Sequence, residues 1–248
     1  MEKRYRAGGS MFEMFEKIRY SEVDKSCHLT RTALLNYFQD CSVAQSESVD
    51  MGVTFLAENH IAWLLTAWQI IIEEMPELGD EVIVQTWPYD FKGLYGYRNF
   101  MLKNADGTKI YAYANSIWAL VDTESGRPRK VEADFAQRYG LEPGLEMATQ
   151  RKIRVPENFT QMDAVKVPRY YIDTNGHMNN EKYVMVAEEF LPENFSVGEI
   201  QAVYKRSAMY DDVICPRVTR EENSMIVNLA DETGKPYAIV RFIERGME

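Results

Sequence analysis

Three short stretches recur in the same order along the chain, and that recurrence limits the fold more than any other feature. V-D-K-S-C-H-L at 23–29 matches I-D-T-N-G-H-M at 172–178, about 149 residues further on. D-E-V-I at 80–83 matches D-D-V-I at 211–214, about 131 further on. K-I-Y-A at 109–112 matches K-P-Y-A at 235–238, about 126 further on. Each match is weak alone, and their common order carries the inference. The shrinking offset says that the second copy is shorter between its helix and its second strand.

Periodicity supplies the elements of each copy. Residues 12–20 read as a first strand. Thr30 or Thr32 caps a helix in which Ala33, Leu34, Tyr37, Phe38, Cys41 and Ala44 make one apolar face. Residues 61–74 read as a long buried strand, and Gly79-Asp80 as a turn before a strand at 81–91. Strands at 95–103 and 109–122 flank the turn N-A-D-G at 104–107. The next stretch, 124–163, mixes Gly, Pro and charge, with a short helix at A-D-F-A-Q-R-Y. The order then resumes: strand 164–172, helix 180–190, and strands near 199–206, 212–220, 224–230 and 236–244. Each half is therefore a strand, a helix and four antiparallel strands, an α+β arrangement in which one helix covers one sheet. The division expected is 1–131, a connecting segment 132–163, and 164–248.

Composition excludes several functions. A net charge of −10 in 248 residues argues against nucleic acid, whose phosphates need a basic surface. The best apolar run, 61–72, is too short to cross a bilayer, and no basic-then-apolar leader opens the chain, so a cytoplasmic protein without a membrane partner is expected. Cys27, Cys41 and Cys215 are odd in number and scattered, which fits reduced thiols. With His28, His60 and His177 they show no metal-ligand spacing, so neither metal nor cofactor is expected. The sequons at Asn158 and Asn194 are chance matches without a leader. No G-x-S-x-G is present, and G-L-Y-G at 93–96 lacks the spacing of a phosphate loop.

The second copy of the first repeat reads D-T-N-G-H-M-N-N-E-K-Y at 173–183. With R-T-A-L-L-N-Y-F-Q-D at 31–40, G-D-E-V-I-V-Q-T-W at 79–87 and S-I-W-A-L-V-D at 116–122, it makes the chain resemble the acyl-ACP thioesterases from about residue 12 to 243. The resemblance implies two tandem hotdog folds, each a helix wrapped by a curved antiparallel sheet, forming a pseudo-dimer. It implies acyl-chain binding in the N-terminal hotdog and catalysis in the C-terminal one. The partner implied is an acyl carrier protein bearing a fatty acyl chain, and the reaction is hydrolysis of its thioester. One departure stands out: plant members carry Glu-Cys after a Tyr-Arg-Arg stretch, and here Y-K-R is followed by Ser207 and Ala208. The residues do not decide between a homodimer and other oligomeric states.

Thioester hydrolysis needs an attacking group and donors for the developing oxyanion. Asp173 is the natural carboxylate, as general base on water or as nucleophile through an anhydride. Asn175 holds the water or the carbonyl, His177 orients a partner or donates, and the helix starting near Asn179–Asn180 offers amides. The plain alternative is that D-T-N-G-H is only a turn, since Asp, Asn and Gly all favour turns. In the first copy Ser26 replaces the amide, so Asp24 and His28 read as a decayed site, and the adjacent Cys27 and His28 point apart. Met51, Phe55, Trp63, Trp68 and Trp118 belong to the core, some of them lining an acyl tunnel. Docking an acidic carrier on an acidic protein calls for a local basic patch. R-P-R-K at 127–130, R-K-I-R at 151–154, and Lys166 with Arg169 are the candidates, the alternative being solvated charge. An acyl-CoA thioesterase, a hotdog hydratase or dehydratase, and a non-catalytic acyl-binding protein are the other readings.

With no thiol at the Ser207–Ala208 position, the chemistry expected is complete without cysteine. A variant with Cys27, Cys41 and Cys215 replaced by serine or alanine should hydrolyse substrate at a rate near wild type, measured as free thiol release from the carrier. Complete loss in a folded variant, traced to one cysteine, would relocate the nucleophile.

Overall fold

The computed structural model describes residues 5–8, 11–147 and 152–246. They form two compact units. One is built from the chain up to Leu65 and from Ile72 to mid-sequence; the other from Thr66–Ile71 and the C-terminal part.

In the first unit β1 (Tyr5–Gly8) and β2 (Met11–Lys17) pair antiparallel, and β2 pairs in turn with β4 (Glu81–Lys92). β4, β5 (Tyr95–Asn104) and β6 (Ile110–Asp122) then form a meander. Helix α1 (Arg31–Ser48) follows from its sequence: Thr30 Oγ1 accepts from the Ala33 amide at 3.2 Å, and Leu34, Phe38 and Cys41 make a buried stripe. That stripe meets alternate residues of the sheet, with Phe38 5.2 Å from Phe100 and Cys41 Sγ donating to the Val84 carbonyl at 3.4 Å. The expected turns are present, with Gly79 and Gly107 both at positive φ. β3 (Ile61–Ile72) is the expected long strand, and its core residues Trp68 and Ile70 are fully enclosed. Met51 is enclosed too, whereas Phe55, Trp63 and Trp118 are only half-buried.

Between α1 and β3 lies α2 (Val53–Glu58). Phe55 on it meets Phe135 of α3 (Ala133–Tyr139), the short helix expected in the Gly- and Pro-bearing stretch. With Trp63, Phe91, Ile61, Leu120 and Val131 they form a satellite apolar cluster. The chain after α3 is bonded to the first unit: Trp87 Nε1 donates to the Pro143 carbonyl, and the Leu145 amide to Asn99 Oδ1.

The second unit repeats the plan with less chain. Its sheet runs β9 (Val197–Tyr204), β12 (Pro236–Glu244), β11 (Ser224–Ala230), β10 (Val213–Arg220), with Ala67–Ile71 of β3 antiparallel to β9. Short strands β7 (Thr160–Gln161) and β8 (Val165–Lys166) pair with β10. Helix α4 (Asn180–Glu188) buries Tyr183, Val184, Val186 and Ala187 against β11 and β12. α4 has 9 residues where α1 has 18, which accounts for about half of the fall in the repeat offset; the chain carrying α2 in the first unit lies in the rest.

Two expectations need correction. The strand expected at 164–172 is only β8; Pro168, which lacks an amide to donate, ends it, and Arg169–Tyr171 form a 3-10 turn. The first strand stops at Lys17, before a matching 3-10 turn at Tyr20–Glu22. β1 and β7, both short, were not legible in the sequence.

Arg98 lies enclosed on the inner face of β5, and burial lowers its pKa. It donates to Gln45 of α1 and to Thr86 Oγ1 at 3.1 Å, and stacks 5.6 Å from the Tyr139 ring. No carboxylate pairs with it among the described residues. Removing an acceptor from a buried cation costs more than replacing the cation itself. Gln45→Leu should therefore destabilise the protein by about 2 kcal/mol, while Arg98→Met should be neutral or stabilising. Urea titration of both variants checks the order.

Candidate active site

The D-T-N-G-H segment is a turn held by its own aspartate. Asp173 Oδ1 accepts from the amides of Asn175 at 2.8 Å and His177 at 3.2 Å. The Asp173 amide donates to the His177 carbonyl at 2.7 Å, and the Gly176 amide to the Asp173 carbonyl at 3.1 Å. Ile172 and Met178 bridge beneath the turn, and the Asn179 amide donates to the Tyr171 carbonyl at 2.8 Å. Gly176 sits at φ 76°, a conformation that glycine adopts without a Cβ clash. The turn thus brings Asp173, Asn175 and His177 onto one short loop that leads directly into α4.

The first unit contains the same turn. Asp24 Oδ1 accepts from the amides of Ser26 at 2.8 Å and His28 at 3.2 Å, and the Asp24 amide donates to the His28 carbonyl at 2.8 Å. Val23 and Leu29 form the bridge, the Thr30 amide donates to the Glu22 carbonyl, and Cys27 takes the left-handed position at φ 64°. The sequence repeat is therefore a repeat of backbone geometry.

The side chains differ. In the first copy Ser26 Oγ donates to Asp24 Oδ1 at 2.6 Å. Burial works against the Asp24 carboxylate, yet the Ser26 and His28 hydrogen bonds together hold its pKa below the ordinary value. His28 Nδ1 is engaged by Ser26, and its Nε2 lies 3.8 Å from Glu77 Oε1. Asp24 thus bonds within its own turn, with the Ser26 hydroxyl as a third donor. In the second copy, among the described residues, no hydroxyl hydrogen-bonds to Asp173, though its charge reaches the Tyr183 phenol, and neither the Asn175 amide group nor the His177 ring has a bonded partner. Asp173 and His177 are half-buried and Asn175 is exposed.

The departure at 207–208 sits against this turn. The Met178 amide donates to the Ala208 carbonyl at 2.8 Å, and the Ala208 amide donates to the Tyr183 hydroxyl at 2.8 Å. Ala208 is fully buried and Ser207 exposed. Burial pushes the Tyr183 phenol up to about 12, so it remains protonated at neutral pH. Its ring packs edge-on to Tyr204, whose hydroxyl donates to the Asn180 carbonyl at 3.0 Å. Tyr183 was not singled out from sequence. Its signal there is a lone phenol among the apolar positions of a short helix that follows a polar turn.

Of the basic candidates, Arg127, Arg129 and Lys130 are exposed. Lys166 pairs with Asp211 at 2.7 Å, and Arg169 stacks 4.4 Å from the Tyr210 ring. Lys152 and Arg154 are exposed, and Arg151 lies outside the described residues. No cluster of histidine, cysteine and carboxylates fit to hold a metal occurs among the described residues. No helix among them is long and apolar enough to cross a membrane.

Residues 9–139 match the family model described as the acyl-ACP thioesterase N-terminal domain, and residues 156–241 that of the C-terminal domain. The chain is 24% identical over 219 residues to oleoyl-acyl carrier protein thioesterase 1, chloroplastic, of Arabidopsis thaliana, covering 79% of this chain and 60% of that protein. It is 22% identical over 224 residues to the chloroplastic palmitoyl-acyl carrier protein thioesterase of Gossypium hirsutum, covering 83% and 54%. The chain thus spans little more than half the length of these relatives. Among solved structures, an acyl-ACP thioesterase from Bacteroides thetaiotaomicron superposes with a TM-score of 0.87 at 21% identity, over 95% of this chain and 98% of that one.

Because Gly176 has open space where a Cβ would point, only its left-handed φ restricts the residue. Gly176→Ala should cost about 1 kcal/mol, and Cys27→Gly at the matching position should change stability in the opposite sense. Thermal melts of the two variants check this.

Proposed function

The chain belongs to the acyl-ACP thioesterase family, and from that premise we propose that it hydrolyses the thioester of fatty acyl-ACP, releasing free fatty acid and holo-ACP. The observation that carries the site assignment is the difference between two turns of one backbone geometry. The first spends its acid and imidazole on local bonds. The second leaves Asn175 and His177 without local partners and gives Asp173 only the two amides of its own turn. Asp173 acts as base or nucleophile, Asn175 and His177 position water and carbonyl, and α4 supplies the positive end of its dipole to the oxyanion. The leaving thiolate needs little assistance.

In this reading the N-terminal hotdog, 1–131, takes the acyl chain. The half-buried aromatic cluster of Phe55, Trp63, Phe91 and Phe135 supplies apolar surface for it. The C-terminal hotdog, 164–248, does the chemistry, joined through 132–163. The exposed cations Arg127, Arg129 and Lys130 form the docking patch for an acidic carrier protein. No Glu-Cys pair is required, because Ala208 contributes only main-chain bonds and Ser207 faces solvent.

Acyl-ACPs of graded chain length, with matching acyl-CoAs alongside, test the substrate class through thiol release. Asp173→Asn should fold normally and lose at least ~10² in kcat, the scale of general-base removal. Asp24→Asn combined with His28→Ala should retain most of kcat. Near-wild-type turnover by the first variant, or equal loss in both, would return the second turn to a purely structural role.

A further inference from the structure

The residue that starts α4 has a side chain suited to capping a helix and does not cap it. Asn179 is the N-cap, yet its side chain accepts from no amide of the first turn. Its Oδ1 is buried and has no hydrogen-bond partner among the described residues. Its main chain is fixed at both ends, the amide by the Tyr171 carbonyl at 2.8 Å and the carbonyl by the Lys182 amide at 3.0 Å. The side chain is therefore presented from a rigid point.

The repeat shows what this position does when it serves only the fold. One repeat earlier the N-cap is Thr30, and its hydroxyl accepts from the Ala33 amide at 3.2 Å. The turns ahead of the two helices have matching main-chain bonds, but the helix starts differ: the Lys182 amide, counterpart of the Ala33 amide, donates to the Asn179 carbonyl, whereas the Thr30 carbonyl accepts from Leu34. Asparagine ranks with the best capping residues. With that amide taken by the main chain, the Asn179 side chain serves no cap, and its buried oxygen is left without a donor at a cost in stability. Such a loss is retained where the group is needed for something else.

We propose that Asn179 is a further catalytic residue, whose Oδ1 accepts a hydrogen bond from the water that attacks the acyl group. This rests on the assignment of Asp173 and the thioester substrate made above. Neither the thioester group nor the alkyl chain carries an O–H or N–H donor. The attacking water carries two: one proton goes toward Asp173, and the other is held by Asn179, which aims a lone pair at the carbon. With Asp173 as base, the water oxygen bonds to the carbonyl carbon as its proton passes to the carboxylate. The C–S bond then breaks, and the thiolate leaves with that proton. With Asp173 as nucleophile, the thiolate leaves first; the same water then adds to the acyl carbon of the mixed anhydride, the C–O bond to Asp173 breaks, one water proton passes to the departing Asp173 carboxyl and from there to the thiolate, and the other stays on the fatty acid. Asn179 holds the water in either case.

The test is Asn179→Thr, which copies the first unit. Hydrolysis of acyl-ACP should fall at least ~10-fold in kcat with KM nearly unchanged, as for loss of a group acting only in the transition state. The melting temperature should be unchanged or higher. Cleavage by added hydroxylamine, followed as hydroxamate and corrected for the uncatalysed rate, should be largely spared, since a strong nucleophile depends less on the water site. Asn179→Asp, which keeps an acceptor, should recover part of kcat and serves as the second variant if the first does not fold. A kcat within twofold of wild type, equal loss of hydrolysis and hydroxamate formation, or a rise confined to KM (a contact to the carrier's amide-bearing arm instead) would each overturn the proposal. Asp173→Asn run in parallel separates the failures. If it is inactive while Asn179→Thr is not, only this inference falls; if it too is active, the site assignment falls with it.

Discussion

Each unit depends on one carboxylate oxygen that accepts from two backbone amides of the turn it begins. Asp24 does this in the first unit and Asp173 in the second. The bond pair closes a loop whose far end is the N-terminus of the longest helix among the described residues of the unit. It thereby sets where α1 and α4 start and which face each turns to its sheet. Without it, the polar loop ahead of each helix would have amides with no acceptor, and the apolar stripes at Leu34–Cys41 and Tyr183–Ala187 would lose their registration.

That constraint explains why an aspartate persists in a copy that has lost the amide at position 26. The carboxylate proposed to be catalytic and the structural one occupy the same place in the two turns, and the fold needs its two amide bonds in both. The distinction between the copies lies one bond further out. Ser26 reinforces Asp24 and occupies His28, while Thr30 closes the helix end. In the second copy Asn175 and Asn179 leave those bonds unmade. The proposed roles of Asp173 and Asn179 rest on the bonds their neighbourhood leaves unmade as much as on the contacts made.

The long elements were legible because their periodicity is strong and their boundaries are marked. α1 begins at the expected Thr30 cap, α3 covers A-D-F-A-Q-R-Y, and the strands on either side of Gly107 fall within a residue or so of their expected limits. β1, β7 and β8 were missed or overdrawn because strands of two to four residues have no period to read. In the site, the triad of residue types and the repeat were visible as letters. The role of Tyr183 was not, because a tyrosine facing Ala208 across the turn is a tertiary contact with no local sequence mark. The missing cap at Asn179 was invisible for the opposite reason: asparagine before a helix reads as an ideal cap, and only the geometry shows the bond unmade.

The doubled turn also bears on how such a chain can change. In the first unit the backbone is secured by Asp24, so the identities at 26, 27 and 30 are not what keeps the loop folded. Those positions can be exchanged one at a time while the scaffold beneath them stays in place. Cys27 already occupies a left-handed site that its counterpart fills with glycine, which shows how much variation the loop accepts. On the proposed assignment the first unit therefore carries a spare socket: a preformed turn ahead of a helix, held by Asp24 for structure and not called on for chemistry.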